Sequence, residues 1–379
     1  MRILEILDNP FAWKSGIWYH RTEVPLRALK MRGHSAKEVA IGETIPDKYM
    51  EYPNTVKMGR IYPQWSKPIE VMKAYKKLGK KVVYDLDDDF WYVDPSNPSK
   101  KVSNAFKDQY EGLMKEADVI TTPSPILAKK IRKLIGKKKP IHICHNGIDF
   151  EDYRERPHNH EGLIIGYMGA SSHWRDLQMI VPALERLYKE HDFTFVIYGM
   201  IGEPMESAMY HYSMILQSNL QPEQNPYYED ALGFYDKIKN LNMTHIPFYT
   251  PALHPSVLSR ADFDIGLAPL EDNEFNRGKS CIKFYEYAAM GTATIASNVE
   301  PYKSECDYRA KNTTEDWYQK IKKLIVDEQF RLDLAKKQQK WVKENRSIDK
   351  IGLEWELACQ KDSGLKILSQ EGANNKFNG

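Results

Sequence analysis

Apolar positions along the chain fall into two alternating patterns. Short runs such as "RILEIL" (2–7), "KKVVYDL" (80–86), "ADVITTPS" (117–124) and "PIHICHNGID" (140–149) read as buried strands. Between them, apolar residues recur every three or four positions, which predicts helices over about 22–31, 103–116 and 125–135. The series then restarts. "GLIIGYMGA" (162–170), "FTFVIYG" (193–199), "MTHIPFY" (243–249), "DFDIGLAPL" (262–270) and "TATIAS" (292–297) read as strands. Helices are expected over 176–191 and about 279–290, and two periodic ones over 312–326 and 327–345. Strands joined by helices imply parallel sheets covered on both faces. The polar stretch "DYRERPHNHE" (152–161) separates the two series. This places a boundary near residue 158, giving units of 1–158 and 159–345 followed by 346–379. Thr313 or Thr314 reads as an N-cap ahead of Glu315 and Asp316. The Tyr- and Asn-rich segment 200–242 is longer than a strand connection needs, and long insertions tend to be functional.

Composition narrows the class. The 379 residues are 42% hydrophobic and 28% charged, as expected of a globular chain. No run approaches the ~20 apolar residues of a membrane-spanning helix. "MRILEILDNPFAW" reads as a strand from its start and not as a signal peptide. Cys144, Cys281, Cys306 and Cys359 are scattered without paired spacing, the pattern of reduced thiols, so a cytoplasmic location is expected. Residues 1–158 carry a charge of +8 and the remainder −6. A basic first half fits a polyanionic partner, nucleic acid or an anionic membrane surface, as well as a lysine-rich solvated face. "AKKIRKLIGKKK" (128–139) is its densest stretch, with peripheral contact at an inner membrane face as one use.

Three segments carry candidate chemistry. "YDLDDDF" ends a strand with Asp85, Asp87, Asp88 and Asp89. Asp85 and Asp87 have the spacing of a phosphatase D-x-D or of a metal-bridging D-x-D. In an open parallel sheet, however, ligands bind beyond the carboxyl ends of strands. There Asp87, Asp88 and Asp89 would form a carboxylate rim able to hydrogen-bond sugar hydroxyls or take a proton from an attacking one. "GYMGASSHWRD" (166–176) places Gly169 after a strand and Asp176 at a helix start, a turn that can approach phosphate, with Arg175 as a bidentate donor. "APLEDNEFNRGKSCIKFYEYAAMGTATIAS" (268–297) contains "RGKS", but a P-loop needs glycine where Asn273 stands. What remains is a helix opening near Lys279 and Ser280, fit to hold phosphate, with Glu286 two turns along to accept from ribose hydroxyls. His142, Cys144 and His145 are too close together for a metal site and read as a strand end.

"FNRGKSCIKFYEYAAMGTATIAS", "IGYMGASSH" and "ICHNGID" resemble the nucleotide-sugar glycosyltransferases of the GT-B fold, in the retaining family 4 group. The resemblance spans about residues 1–345. It implies two Rossmann-like, doubly wound domains facing across a cleft, the first for the acceptor and the second for the donor. It also implies a C-terminal helix crossing back, a role for "DKIGLEWELACQ" (349–360). By position, Glu286 matches the ribose-binding second glutamate of the family's E-x7-E. Lys279, Ser280 and Arg175 would hold the diphosphate, and Gly16 would lie beside the donor. Gly278 stands where the first glutamate belongs, with Asn276 and Glu274 as nearby substitutes. Ala170 replaces a frequent arginine. The family's first-domain histidine aligns with Asp87, and His173 is the other polar group at the donor. The implied reaction is retaining transfer of a sugar from a UDP- or GDP-linked donor, without a required metal ion. The implied acceptor is a glycan or lipid-linked saccharide. DNA carrying hydroxymethylated pyrimidines is the alternative, as in viral enzymes acting in a host cytoplasm, with the base flipped out of its stack. A non-catalytic sugar-nucleotide-binding protein is a third reading.

Overall fold

The computed structural model describes residues 1–7, 16–40, 45–59, 67–93, 100–153, 160–170, 173–199, 234, 237–238, 241, 243–247 and 253–360. Most of the 200–242 segment, the centre of the 152–161 stretch and residues 361–379 lie outside these. Strands β1 (Arg2–Leu7), β2 (Ser35–Ala40), β3 (Thr55–Met58), β4 (Lys81–Asp85), β5 (Val119–Thr122) and β6 (Ile141–Ile143) form one six-stranded sheet, ordered β2-β1-β3-β4-β5-β6. Strands β7 (Ile164–Met168), β8 (Thr194–Tyr198), β9 (Met243–Ile246), β10 (Ile265–Ala268), β11 (Ala293–Ser297) and β12 (Arg309–Ala310) form a second, ordered β12-β11-β10-β7-β8-β9. Every pairing is parallel.

The first sheet contains two strands, β2 and β3, that the apolar pattern does not announce. "SAKEVA" and "TVKM" carry charges, yet β3 is wholly buried. Lys57 on β3 is the register partner of Glu5 on β1, and the two ion-pair at 2.7 Å inside the sheet. Burial pushes the Glu5 carboxyl up to about 7 against the pull of Lys57.

The helices follow local signals closely. Helix α6 (Pro125–Ile135) begins where Ser124 accepts from the Leu127 N–H and Pro125 needs no donor partner. The expected helix over 22–31 starts earlier: α1 (Gly16–Trp18) leads through a π-turn, Tyr19–Glu23, into α2 (Val24–Met31). Helices α3 (Asp47–Glu51), α4 (Pro68–Lys77) and α5 (Lys100–Glu116) complete the first half. The helix expected over 176–191 is two, α7 (Trp174–Gln178) and α8 (Val181–Tyr188), because Pro182 lacks the N–H that continuity requires. Beyond α9 (His254–Arg260) and the single turn α10 (Glu274–Arg277), helix α11 (Ile282–Ala289) opens three residues later than expected, with Cys281 as an N-cap that forms no side-chain bond. After α12 (Tyr302–Glu305), Thr313 caps α13 (Thr314–Val326) by accepting from the Asp316 N–H, and α14 (Glu328–Arg346) follows.

Helix α15 (Ile348–Cys359) returns to the first sheet. Its Glu356 meets Arg32 and His34, its Glu354 binds His145 at 2.7 Å, and Thr55 Oγ1 donates to the Cys359 carbonyl at 2.8 Å. The "HICHNG" segment therefore serves the crossover helix, and all four cysteines are buried and unpaired. Among the described residues no helix is long and apolar enough to cross a membrane.

Asp85 closes β4 and is fully enclosed. Arg21 clamps it at 2.9 and 2.5 Å, and Thr121 donates to it at 2.6 Å. Asp85→Ala strips the buried guanidinium of its counter-charge, and the expected loss is about 3–5 kcal/mol. A urea titration that left the first unfolding transition within about 1 kcal/mol of wild type, small against that loss, would contradict this.

Candidate active site

The carboxyl ends of β4, β7 and β10 face one another across the two halves, and the aspartate run sorts itself there. Asp85 is locked by Arg21, so it cannot lead a D-x-D that binds metal or attacks phosphorus. Asp89 is held by Lys130 at 2.6 Å. Asp87 and Asp88 stay half-buried at the rim, and Asp88 Oδ1 lies 3.4 Å from Lys279 Nζ of the second half.

Lys279 sits in a loop that grips the first half. Phe275 on α10 is buried in the first sheet's apolar cluster with Leu127 and Phe90. Lys130 donates to the Glu274 carbonyl and lies 3.2 Å from its carboxylate. The Lys279 ammonium rests over the Phe275 ring, 4.4 Å from its centroid. Ser280 Oγ accepts from Asn146 Nδ2 at 2.8 Å. A Cβ on Gly278 would stand 3.6 Å from the Asp89 Cβ and 3.9 Å from the Leu127 Cβ. The position that resembles the family's first glutamate is thus packed against the opposite half. Of its nearby substitutes, Asn276 is buried with its amide donating to the Glu271 carbonyl at 3.0 Å. Glu274 is tied to Lys130 and Arg277.

Helix α11 brings two charged side chains onto one face. Lys283 is 8% exposed. Its ammonium lies 5.5 Å from the Tyr167 ring centroid, and no carboxylate of the described residues lies within ion-pair distance. Burial pushes its pKa down to about 8, with Lys279 adding repulsion and Asp176 opposing. Three residues on, Glu286 is also buried. Its Oε1 accepts from Tyr153 OH at 2.6 Å and meets His254 Nε2 at 2.8 Å and His20 Nε2 at 3.4 Å. Burial alone would raise this carboxyl, but His254 and His20 hold it well below its usual range. All three contacts fall on Oε1. Tyr198 OH in turn bonds His254 Nδ1 at 2.8 Å. His20 comes from the π-turn of the first half, and such turns recur at functional sites.

The turn after β7 contributes His173. Its Nδ1 lies 2.7 Å from Asp176 Oδ2, and Asp176 Oδ1 accepts from the Glu271 N–H at 2.7 Å. Burial and then the charge on Lys283 push His173 down to about 4, so the ring is neutral at pH 7. With Asp176 ionised, Nδ1 carries the proton and Nε2 is an acceptor. Gly169 is required by packing, since a Cβ there would meet Tyr167 OH at 2.6 Å. Arg175 pairs with Glu271 at 3.3 Å. Gly16 opens α1 with nothing within 4 Å of where a Cβ would lie.

The site therefore gathers Asp87, Asp88, His173, Lys279, Ser280 and Glu286 from the sequence reading. It adds Lys283, His254, Tyr153 and His20, which that reading did not single out. Lys283 was accessible from spacing, because positions 283 and 286 share a helix face. The other three meet Glu286 only through the fold.

No family model matches the chain. A putative teichuronic acid biosynthesis glycosyltransferase of Bacillus subtilis, TuaH, is 21% identical over 235 residues. That match covers 58% of this chain, and it spans half the length of this relative. Among solved structures, a glycosyltransferase from Rickettsia africae superposes with a TM-score of 0.63 at 15% identity, over 95% of this chain and 99% of that one. An α-glucosyltransferase (AGT) in complex with UDP gives 0.64 at 13% identity, over 95% and 100%. Anabaena HepE in complex with UDP and glucose gives 0.62 at 11% identity, over 93% and 98%. With two parallel sheets, a helix crossing back and neighbours aligned along nearly its whole length, the chain has the GT-B fold.

Proposed function

We propose that the protein is a retaining glycosyltransferase. It moves a sugar from a nucleoside-diphosphate sugar to a hydroxyl of a glycan or lipid-linked saccharide. One observation carries the donor half of this reading: the Lys283 ammonium is buried with no carboxylate of the described residues within ion-pair distance. A buried cation is costly unless something anionic joins it, and a diphosphate meets that need. The solved neighbours crystallised with UDP make UDP the first nucleotide to test.

In this assignment Lys283 and Lys279 hold the diphosphate, with the uncapped N–H groups at the start of α11 and Arg175 beside them. Glu286 presents Oε2 to the ribose hydroxyls while Tyr153, His254 and His20 fix Oε1. Gly16 leaves room for the donor on the first side. Asp87 faces the acceptor hydroxyl, Asp88 stands opposite Lys279, and His173 Nε2 accepts from a sugar hydroxyl. As the glycosidic bond breaks, charge grows on the leaving diphosphate, and the two ammonium groups stabilise it. The departing phosphate oxygen can then take the proton of the incoming hydroxyl on the same face.

The domain division at 158, 159–345 and 346–379 belongs to this reading, since the two sheets supply its two sides. DNA with hydroxymethylated pyrimidines is the second acceptor, favoured by the +8 charge of residues 1–158. Incubation with labelled UDP-glucose and each acceptor class separates them. Label in the glycan or lipid fraction supports the first, and label in hydroxymethylated but not plain DNA supports the second. No UDP release with any acceptor, and no UDP binding, refutes both.

Lys283→Met is expected to abolish UDP binding by calorimetry yet raise the melting temperature at pH 7. The sign follows from the lowered pKa: the folded state binds fewer protons than the unfolded between about 8 and the ordinary lysine value, so the charge opposes folding below that window. A lower melting temperature would mark Lys283 as structural. In wild type, a donor that needs the ammonium binds with proton uptake once the pH exceeds about 8, so the KM for UDP-glucose climbs from there. Glu286→Gln removes the charged acceptor, and the KM for UDP-glucose should rise ~10–100-fold, from ~1.5–3 kcal/mol for a hydrogen bond to a charged group. An unchanged KM would remove Glu286 from the donor site.

A further inference from the structure

The transferred sugar needs polar partners, and the loop carrying Lys279 offers few. Asn276 is spent inside its own turn, Glu274 is tied to Lys130 and Arg277, and position 278 has no side chain. The acid facing Lys279 comes from the other half of the molecule. Asp88 Oδ1 lies 3.4 Å from Lys279 Nζ, with both side chains about one-fifth exposed. Its neighbours Asp85 and Asp89 are locked by Arg21 and Lys130, whereas Asp88 reaches Lys279 of the second half.

This pairing conflicts with a bound diphosphate. Lys283 has no carboxylate partner, so an anion entering the site meets it unopposed. Lys279 is already engaged by Asp88. A diphosphate must draw the Lys279 ammonium away from Asp88, and it brings negative charge up to that carboxylate. The conflict is relieved where the displaced carboxylate finds a new donor, and a sugar attached to the diphosphate carries hydroxyls able to serve as one. Position 278 adds no side chain there, and a Cβ on it would stand 3.6 Å from the Asp89 Cβ.

Resting on the donor-site reading above, we propose that Asp88 is a specificity-determining residue supplied from the opposite domain. It holds Lys279 while the site is empty. Once the diphosphate takes that ammonium, its carboxylate accepts from a hydroxyl of the transferred sugar. The nucleotide alone then loses the Asp88–Lys279 contact without replacement, while the sugar nucleotide replaces it. The enzyme thereby discriminates intact donor from spent UDP.

Calorimetry with UDP and UDP-glucose on wild type, Asp88→Asn, Asp88→Ala and Lys283→Ala tests this. Removing the Asp88 charge should tighten UDP about fivefold, the scale of a partly exposed ion pair. The same change should leave UDP-glucose no tighter or weaken it, so the preference for intact donor falls in both variants. UDP and UDP-glucose tightening in parallel would reduce Asp88 to a repelling charge and overturn the sugar contact. UDP binding that is unchanged or weaker in both Asp88 variants overturns the proposal entirely. Melting curves exclude misfolding as the cause. Lys283→Ala separates the two levels: UDP bound as in wild type sinks the donor site itself, whereas UDP lost there but indifferent to Asp88 sinks only this proposal.

Discussion

Arg21 is the point on which both halves of the molecule are hung. Its guanidinium grips both oxygens of Asp85 at the end of β4, and Nη1 donates to the Cys144 carbonyl and to Asn146 Oδ1 beyond β6. Its plane lies 4.8 Å from the ring centroid of Trp355 on the crossover helix. Only arginine presents enough fixed donors to serve these partners together. Asn146 then donates to Ser280, one residue past Lys279. A single buried cation thus links the π-turn of the first half, the ends of β4 and β6 and the returning helix to the loop that carries Lys279. The Glu5–Lys57 pair backs it, with Lys57 Nζ donating to the Arg21 carbonyl at 2.7 Å and lying 5.0 Å from the same indole centroid.

The site at the cleft is built on the opposite principle. Where Arg21 is fully compensated, Lys283 has the Tyr167 ring but no carboxylate partner among the described residues, and Glu286 makes its three contacts through one oxygen. Compensated charges specify a geometry and uncompensated ones create a demand for ligand. Both kinds lie on adjoining elements, so the rigid network fixes where the demand is felt. The aspartate run shows the division within four residues. Asp85 and Asp89 are absorbed by Arg21 and Lys130, whereas Asp88 meets Lys279 of the second half.

The sequence exposes whatever depends on local periodicity. Strands β1, β4 and β7 are apolar runs, α6 carries its own cap and proline, and the restart after residue 161 reveals the second sheet. It conceals β3 because Lys57, buried in an ion pair with β1, looks polar in one dimension, and β2 because an edge strand keeps polar residues exposed. At the site, Lys279 and Glu286 are legible from their place relative to a strand and a helix start. Tyr153 and His254 are not, for they stand 133 and 32 residues from Glu286. Nothing in the spacing of a histidine after Gly16 shows that a π-turn will swing it onto a carboxylate in the other domain.

The absent side chain at Gly278 bears on how such a cleft closes. With Phe275 seated in the first sheet's core, the loop that carries Lys279 is fastened to the opposite half. A long side chain at 278 would have to share the space already occupied by Asp89 and Leu127. Under the proposal for Asp88, a loop anchored this way offers no sugar-binding group of its own and borrows one from the surface it touches. The contact between the halves and the recognition of the sugar then depend on the same few atoms. A change at Phe275 that loosened the anchor should therefore disturb donor selectivity as much as stability, although its ring never meets the donor.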